Sequence, residues 1–87
     1  MPVIIDLSAM DSSREEKIIK EFGKRLKKAR TDKKLSVRAL ADIADMDFGN
    51  ISEIENGKIN PSITTVILLA EALEVDHSEL LPSKKKG

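Results

Sequence analysis

Apolar residues recur at three- and four-residue steps along most of this chain, the period of helices packed on a core. Ile18, Ile19, Phe22, Leu26 and Ala29 make one stripe and predict a long first helix over residues 13–33. Ser12 or Ser13 suits its N-cap, and Glu15 and Glu16 fall in the first turn, where the helix dipole favours negative charge. Ser36 suits the cap of a second helix, 37–44, with Leu40, Ala41 and Ala44 inward. Asp45-Met46-Asp47 interrupts the pattern: Asp45 tolerates a left-handed turn, and Asp47 can cap a third helix, 48–56, with Ile51 and Ile54 inward and Gly57 as its stop. Ser62 predicts a fourth helix, 63–74, with Ile63, Val66, Ala70 and Leu73 inward. Asp76 followed by Glu79 reads as a capping box for a short last helix, whose Leu80 and Leu81 close the core before Pro82 stops it. The expected fold class is all-α, with five helices.

The chain has 87 residues, which suits one domain. We divide it into an N-terminal arm (1–12), a helical domain (13–82) and a basic, disordered tail (83–87). Pro2-Val3-Ile4-Ile5 has strand character without an evident partner. The arm is left open between an intermolecular strand, a minor-groove arm and an unordered segment. Cysteine is absent, which removes disulfides and thiolate metal sites. No apolar run is long enough for a transmembrane helix, and the N-terminus lacks the basic region of a secretory signal, so a cytoplasmic location is expected. The formal net charge is zero, but it is unevenly spread. Residues 14–38 hold eleven Lys/Arg against four Asp/Glu, whereas residues 39–83 hold only Lys58 against nine acids. One basic end could therefore meet a phosphate backbone.

The spacing over 37–56 says more than "helical bundle". Two short helices flank a three- or four-residue turn, and small Ala41 permits their close approach, which leaves the second helix projecting as a major-groove reader must. The stretches Leu35-Ser36-Val37-Arg38-Ala39-Leu40-Ala41, Ile51-Ser52-Glu53-Ile54-Glu55-Asn56-Gly57-Lys58, Asn60-Pro61-Ser62-Ile63 and Ala70-Glu71-Ala72-Leu73-Glu74-Val75 resemble the phage-repressor, Cro-like (XRE) helix-turn-helix family. The likeness runs from about Phe22 to Leu81. It implies a lambda-repressor-like domain that binds double-stranded DNA, as a repressor or other transcriptional regulator, usually as a homodimer.

By that resemblance Phe48, Gly49, Asn50, Ser52 and Glu53 are the base-contacting candidates. Asn50 suits adenine, Glu53 suits cytosine N4, and Phe48 suits a thymine methyl. Ser36, Asn56 and Lys58 match phosphate-holding positions, and Arg38, Lys27 and Lys28 supply further positive charge toward the phosphates. Arg30 and Glu55 match a structural ion pair between the first and third helices. Val37 stands where the family commonly has Gln, and Asp45 where it has the turn glycine. The reading helix carries no Lys or Arg, while Asp45, Asp47, Glu53 and Glu55 surround it, so affinity is expected to be modest and strongly salt-dependent. Leu68 falls about half a turn from the stripe of its helix, and with Ile67 and Leu81 it marks a candidate dimer interface.

Chemistry finds little foothold. Asp76-His77-Ser78 is contiguous, whereas a catalytic triad is assembled in space. Phosphate-loop, dinucleotide and metal-ligand spacings are missing, so neither enzyme activity, metal nor cofactor is expected. The rival reading is an antitoxin or adaptor that uses the same fold to hold a protein partner, motivated by the acidic reading helix and Val37.

Overall fold

The computed structural model describes the backbone of residues 4–82 and the side chains of residues 13–82. Within these are five helices and no strand: α1 (Ile4–Asp32), α2 (Val37–Ala44), α3 (Phe48–Glu55), α4 (Ile63–Leu73) and α5 (His77–Leu80). α1 packs on α3 and α5, α2 lies against α3 and α4, and α5 closes on α4. The buried core takes Phe22 and Leu26 from α1, Leu40 and Ala41 from α2, Ile51 and Ile54 from α3, Val66, Leu69, Ala70 and Leu73 from α4, and Leu80 from α5.

The helix starts follow cap chemistry. Ser36 accepts a hydrogen bond from the Ala39 N–H at 3.0 Å, Asp47 from Asn50 at 3.3 Å and Ser62 from Thr65 at 3.1 Å. Each such cap contributes about 1 kcal/mol. Asp76 caps α5, but not through the expected box with Glu79. Its carboxylate accepts from the Ser78 hydroxyl and the Ser78 N–H, while the Glu79 N–H donates to the Asp76 carbonyl oxygen. The two Ser78 bonds, the hydroxyl's first, hold the Asp76 carboxyl below the usual aspartate range.

Four helices end alike, with paired bonds that bring their last carbonyls to the residues just beyond. The pairs are Leu35 N–H to Arg30 O with Lys34 N–H to Thr31 O, Met46 to Ala41 with Asp45 to Asp42, Lys58 to Glu53 with Gly57 to Ile54, and Val75 to Ala70 with Glu74 to Glu71. This motif needs one left-handed residue, and the four are Lys34, Asp45, Gly57 and Glu74, with φ of 61°, 57°, 72° and 60°. Three of these carry a Cβ that the conformation disfavours. Lys34→Gly, Asp45→Gly and Glu74→Gly should therefore each raise stability, by about 0.5–1 kcal/mol after glycine's own entropy cost. Urea unfolding midpoints check this; a fall in all three variants would contradict the motif.

The structure corrects further expectations. α1 begins at Ile4, not near Ser13, so the arm is helical from Ile4 onward and its strand reading fails there. Strand propensity over a few residues is a weak prior, and Leu7, Ala9 and Met10 are good helix formers that let the helix continue through Ser12 and Ser13. Residues 1–3 and the lysine tail lie outside the described residues. Ile63 is not inward: it is 80% exposed, in the first turn of α4, one turn before burial begins at Val66. Ile18 is 47% exposed for the same reason, one turn before the buried part of α1. Leu81 does not close the core, because α5 ends at Leu80 and the chain turns extended, leaving Leu81 at 40% exposure.

Candidate nucleic-acid interface

α3 is locked from beneath by α1. Gly23 lies so close to the C-terminal end of α3 that a Cβ there would stand 2.5 Å from the Ile54 carbonyl oxygen and 2.6 Å from that of Glu55. Two turns later Arg30 completes the clamp. Its Nε donates to Glu55 Oε2 at 2.7 Å, its Nη2 to Oε1 at 2.9 Å, and its Nη1 to the Leu35 carbonyl oxygen at 2.8 Å. Both side chains are almost wholly buried, and the bond to Glu55 raises the guanidinium's already high pKa. This two-pronged pair ties α1, the α1–α2 loop and α3 together.

The rest of α3 is left free. Phe48 is 44% exposed at its first turn, Glu53 and Asn56 are exposed, and Gly49, Asn50 and Ser52 are half-buried. The five base-contacting candidates thus share the first turns of one helix, with Gly49 and Ser52 more covered than wheel geometry suggests. At eight residues, α3 is about 12 Å long, close to the width of the major groove.

The phosphate candidates divide. Ser36 and Arg38 stand at the start of α2, and Asn56 and Lys58 at the far end of α3, all exposed. Lys27 follows Gly23 by one helical turn and so lies on the α3 side of α1. Lys28 lies elsewhere: its Nζ is 3.1 Å from Asp32, and both line a shallow depression with Arg25, Ala29 and Glu79. Lys20 was not singled out by its sequence. Its stem lies against Gly57, where an added Cβ would meet Lys20 Cγ at 2.7 Å. Only the lysine's one-turn spacing from Gly23 hints at this position.

The dimer candidates divide as well. Leu81 lines an apolar hollow of 150 Å³ with Ile18, Ile19, Phe22, Ile63 and Val66, whereas Ile67 and Leu68 are absent from that lining. Ile67 is half-buried and Leu68 is 41% exposed. Asp76 and Ser78 bond to each other directly, with no imidazole between them, which is a cap and not a relay. Among the described residues no group of three His, Cys, Asp or Glu side chains could hold a metal, and no helix is long and apolar enough to cross a membrane.

A short helix held out by a second, across a tight turn, defines the class: this is a Cro/C1-type helix-turn-helix domain. It belongs to the helix-turn-helix family HTH_3, which matches residues 26–80. The HTH-type transcriptional repressor RghR of Bacillus subtilis (strain 168) is 38% identical over 64 residues, 72% of this chain; the chain spans 47% of that relative's length. The restriction-modification controller protein C.AhdI of Aeromonas hydrophila superposes with a TM-score of 0.71 at 35% identity, covering 72% of this chain and 96% of that one. An HTH_3 family transcriptional regulator from Vibrio cholerae gives 0.74 at 26% identity, covering 76% of this chain and 37% of that one. The DNA-binding domain of BldD, at 23% identity and 0.71, shares the fold, over 77% of this chain and 97% of its own.

Proposed function

We propose that this chain binds a specific duplex-DNA site as a homodimer and represses by occupying a promoter. The observation that carries this is the clamped α3 itself. Its base is fixed by Gly23 and by the Arg30–Glu55 pair, while its first turns stay open between Ser36 on one side and Lys58 on the other. Phe48, Gly49, Asn50, Ser52 and Glu53 face the bases. Ser36, Asn56, Lys58 and Lys27 hold phosphates, joined by Lys20, whereas Lys28 is turned away. A helix about 12 Å long covers about four base pairs, too few to mark a site, so a second copy supplies the other half-site. Its contact surface draws on Leu68 with Ile67, or on Leu81 with Ile18 and Ile63. A soluble, cytoplasmic, cofactor-free and non-catalytic protein fits this role.

Selection of bound duplexes from a random pool tests the reading. We expect an enriched two-fold site with half-site centres about 10 base pairs apart. Affinity should fall linearly in log–log salt plots, and Lys27→Gln and Lys58→Gln should each reduce the slope by about 1, with Lys28→Gln leaving it unchanged. No enrichment, with no duplex retained at about 50 mM salt, would defeat it. The second reading, an antitoxin or adaptor holding a protein partner, draws on the acids Asp45, Asp47 and Glu53 around α3. A chain that passes unretained through heparin would favour it.

A further inference from the structure

α3, with the sequence Phe-Gly-Asn-Ile-Ser-Glu-Ile-Glu, carries no cation of its own. One reaches it from the neighbouring helix. The Arg38 guanidinium carbon lies 4.3 Å from the centroid of the Phe48 ring. Arg38 is the second residue of α2 and Phe48 the first of α3, so the stack bridges the two leading turns of the motif. Asp42 sits one turn on from Arg38, the usual place for an ion-pair partner on a helix. Yet among the described residues the ion pairs are Arg25–Glu21, Lys28–Asp32 and Arg30–Glu55, and Arg38 is in none of them. The guanidinium rests on the ring instead, with Arg38 exposed and Phe48 half open to solvent.

A planar guanidinium stacked on an aromatic face loses freedom of rotation but keeps its N–H edge free. That edge offers two parallel donors, the pattern that matches guanine O6 and N7 in the major groove. A phosphate contact would need no such platform; any ammonium in reach would serve. We propose that Arg38 reads a guanine in each half-site, held in plane by Phe48, so that the specificity-determining unit is a pair split between α2 and α3. The ring's outer edge then lies beside the neighbouring base, where a pyrimidine methyl would pack. This also accounts for base reading by a helix surrounded with carboxylates: the one cation at its tip is borrowed. The inference rests on the duplex-DNA reading above.

The test compares wild type with Arg38→Lys, Arg38→Ala and Phe48→Leu, on the duplex selected by wild type and on a random-sequence duplex. Thermal unfolding first confirms that each surface variant folds. Arg38→Lys keeps the charge but loses the planar fork, and should weaken the selected site about 10- to 100-fold while leaving the random duplex and the salt slope unchanged. Phe48→Leu should lose part of the same preference. Replacing one guanine per half-site with 7-deazaguanine, which lacks N7, should weaken wild type but not Arg38→Lys. If Arg38→Lys binds the selected site like wild type, and Arg38→Ala weakens both duplexes equally, the contact is to phosphate and the inference is overturned alone. If wild type binds neither duplex, the inference falls together with the reading beneath it.

Discussion

Arg30→Met is expected to cost about 3–5 kcal/mol, because it strands the buried Glu55 carboxylate without a partner. An 87-residue domain has a total stability of only about 5–10 kcal/mol, so this variant should be largely unfolded at modest urea. The Leu35 carbonyl loses its donor in the same step, which loosens the end of α1 as well. The pair's value lies in orientation more than in energy. Arg30→Met combined with Glu55→Leu should recover most of the loss, since two apolar side chains can fill the space without a charge to desolvate. The exposed Lys28–Asp32 pair is the contrast: its side chains are 76% and 63% exposed, and Lys28→Ala should change stability by less than about 0.5 kcal/mol. Urea midpoints of the three variants, set against wild type, form the check. If Arg30→Met fell no further than Lys28→Ala, the clamp would not be what holds α3 in place.

Gly23→Ala should cost about 2–3 kcal/mol, although alanine in mid-helix normally gains up to about 1 kcal/mol over glycine. The colliding atoms are backbone oxygens of Ile54 and Glu55, so relief requires α1 and α3 to part and not merely a rotamer change. Gly49→Ala gives the comparison. There the nearest atom to the added Cβ is the flexible Asp47 carboxylate at 3.1 Å, and stability should hold. A Gly23→Ala protein as stable as wild type would show that the close approach of α1 to α3 is dispensable.

Much of this fold is local and therefore readable. Ser36, Asp47 and Ser62 cap because a short polar side chain before an apolar period meets only its own first turn. Leu26, Leu40, Ile51 and Ile54 are buried because helical spacing alone puts them on one face. What escaped the sequence is contact between elements. Gly23 looks like an ordinary helix-weakening residue until α3 is set against it, though a glycine in a strong helical period is itself a signal of close packing. Lys27 and Lys28 are neighbours in sequence, but a turn of about 100° sends them to different sides of α1. Ile18 and Ile63 obey the period yet lie one turn before the buried stretch of their helices, and periodicity carries no information about cover there. Leu69, wholly buried, completes the α4 stripe that its neighbours define. The contact of Arg38 with the Phe48 ring joins two helices ten residues apart, and no local pattern announces it.

Titrating the selected duplex into isotopically labelled protein and following the backbone amide resonances would bear most directly on the account. We expect the largest shifts at Ser36, Arg38 and Phe48–Glu53, with smaller ones at Asn56–Lys58 and Lys27, and none at Lys28. Shifts concentrated instead on Ile63, Leu68 and Leu81, with the leading turn of α3 unmoved, would contradict it.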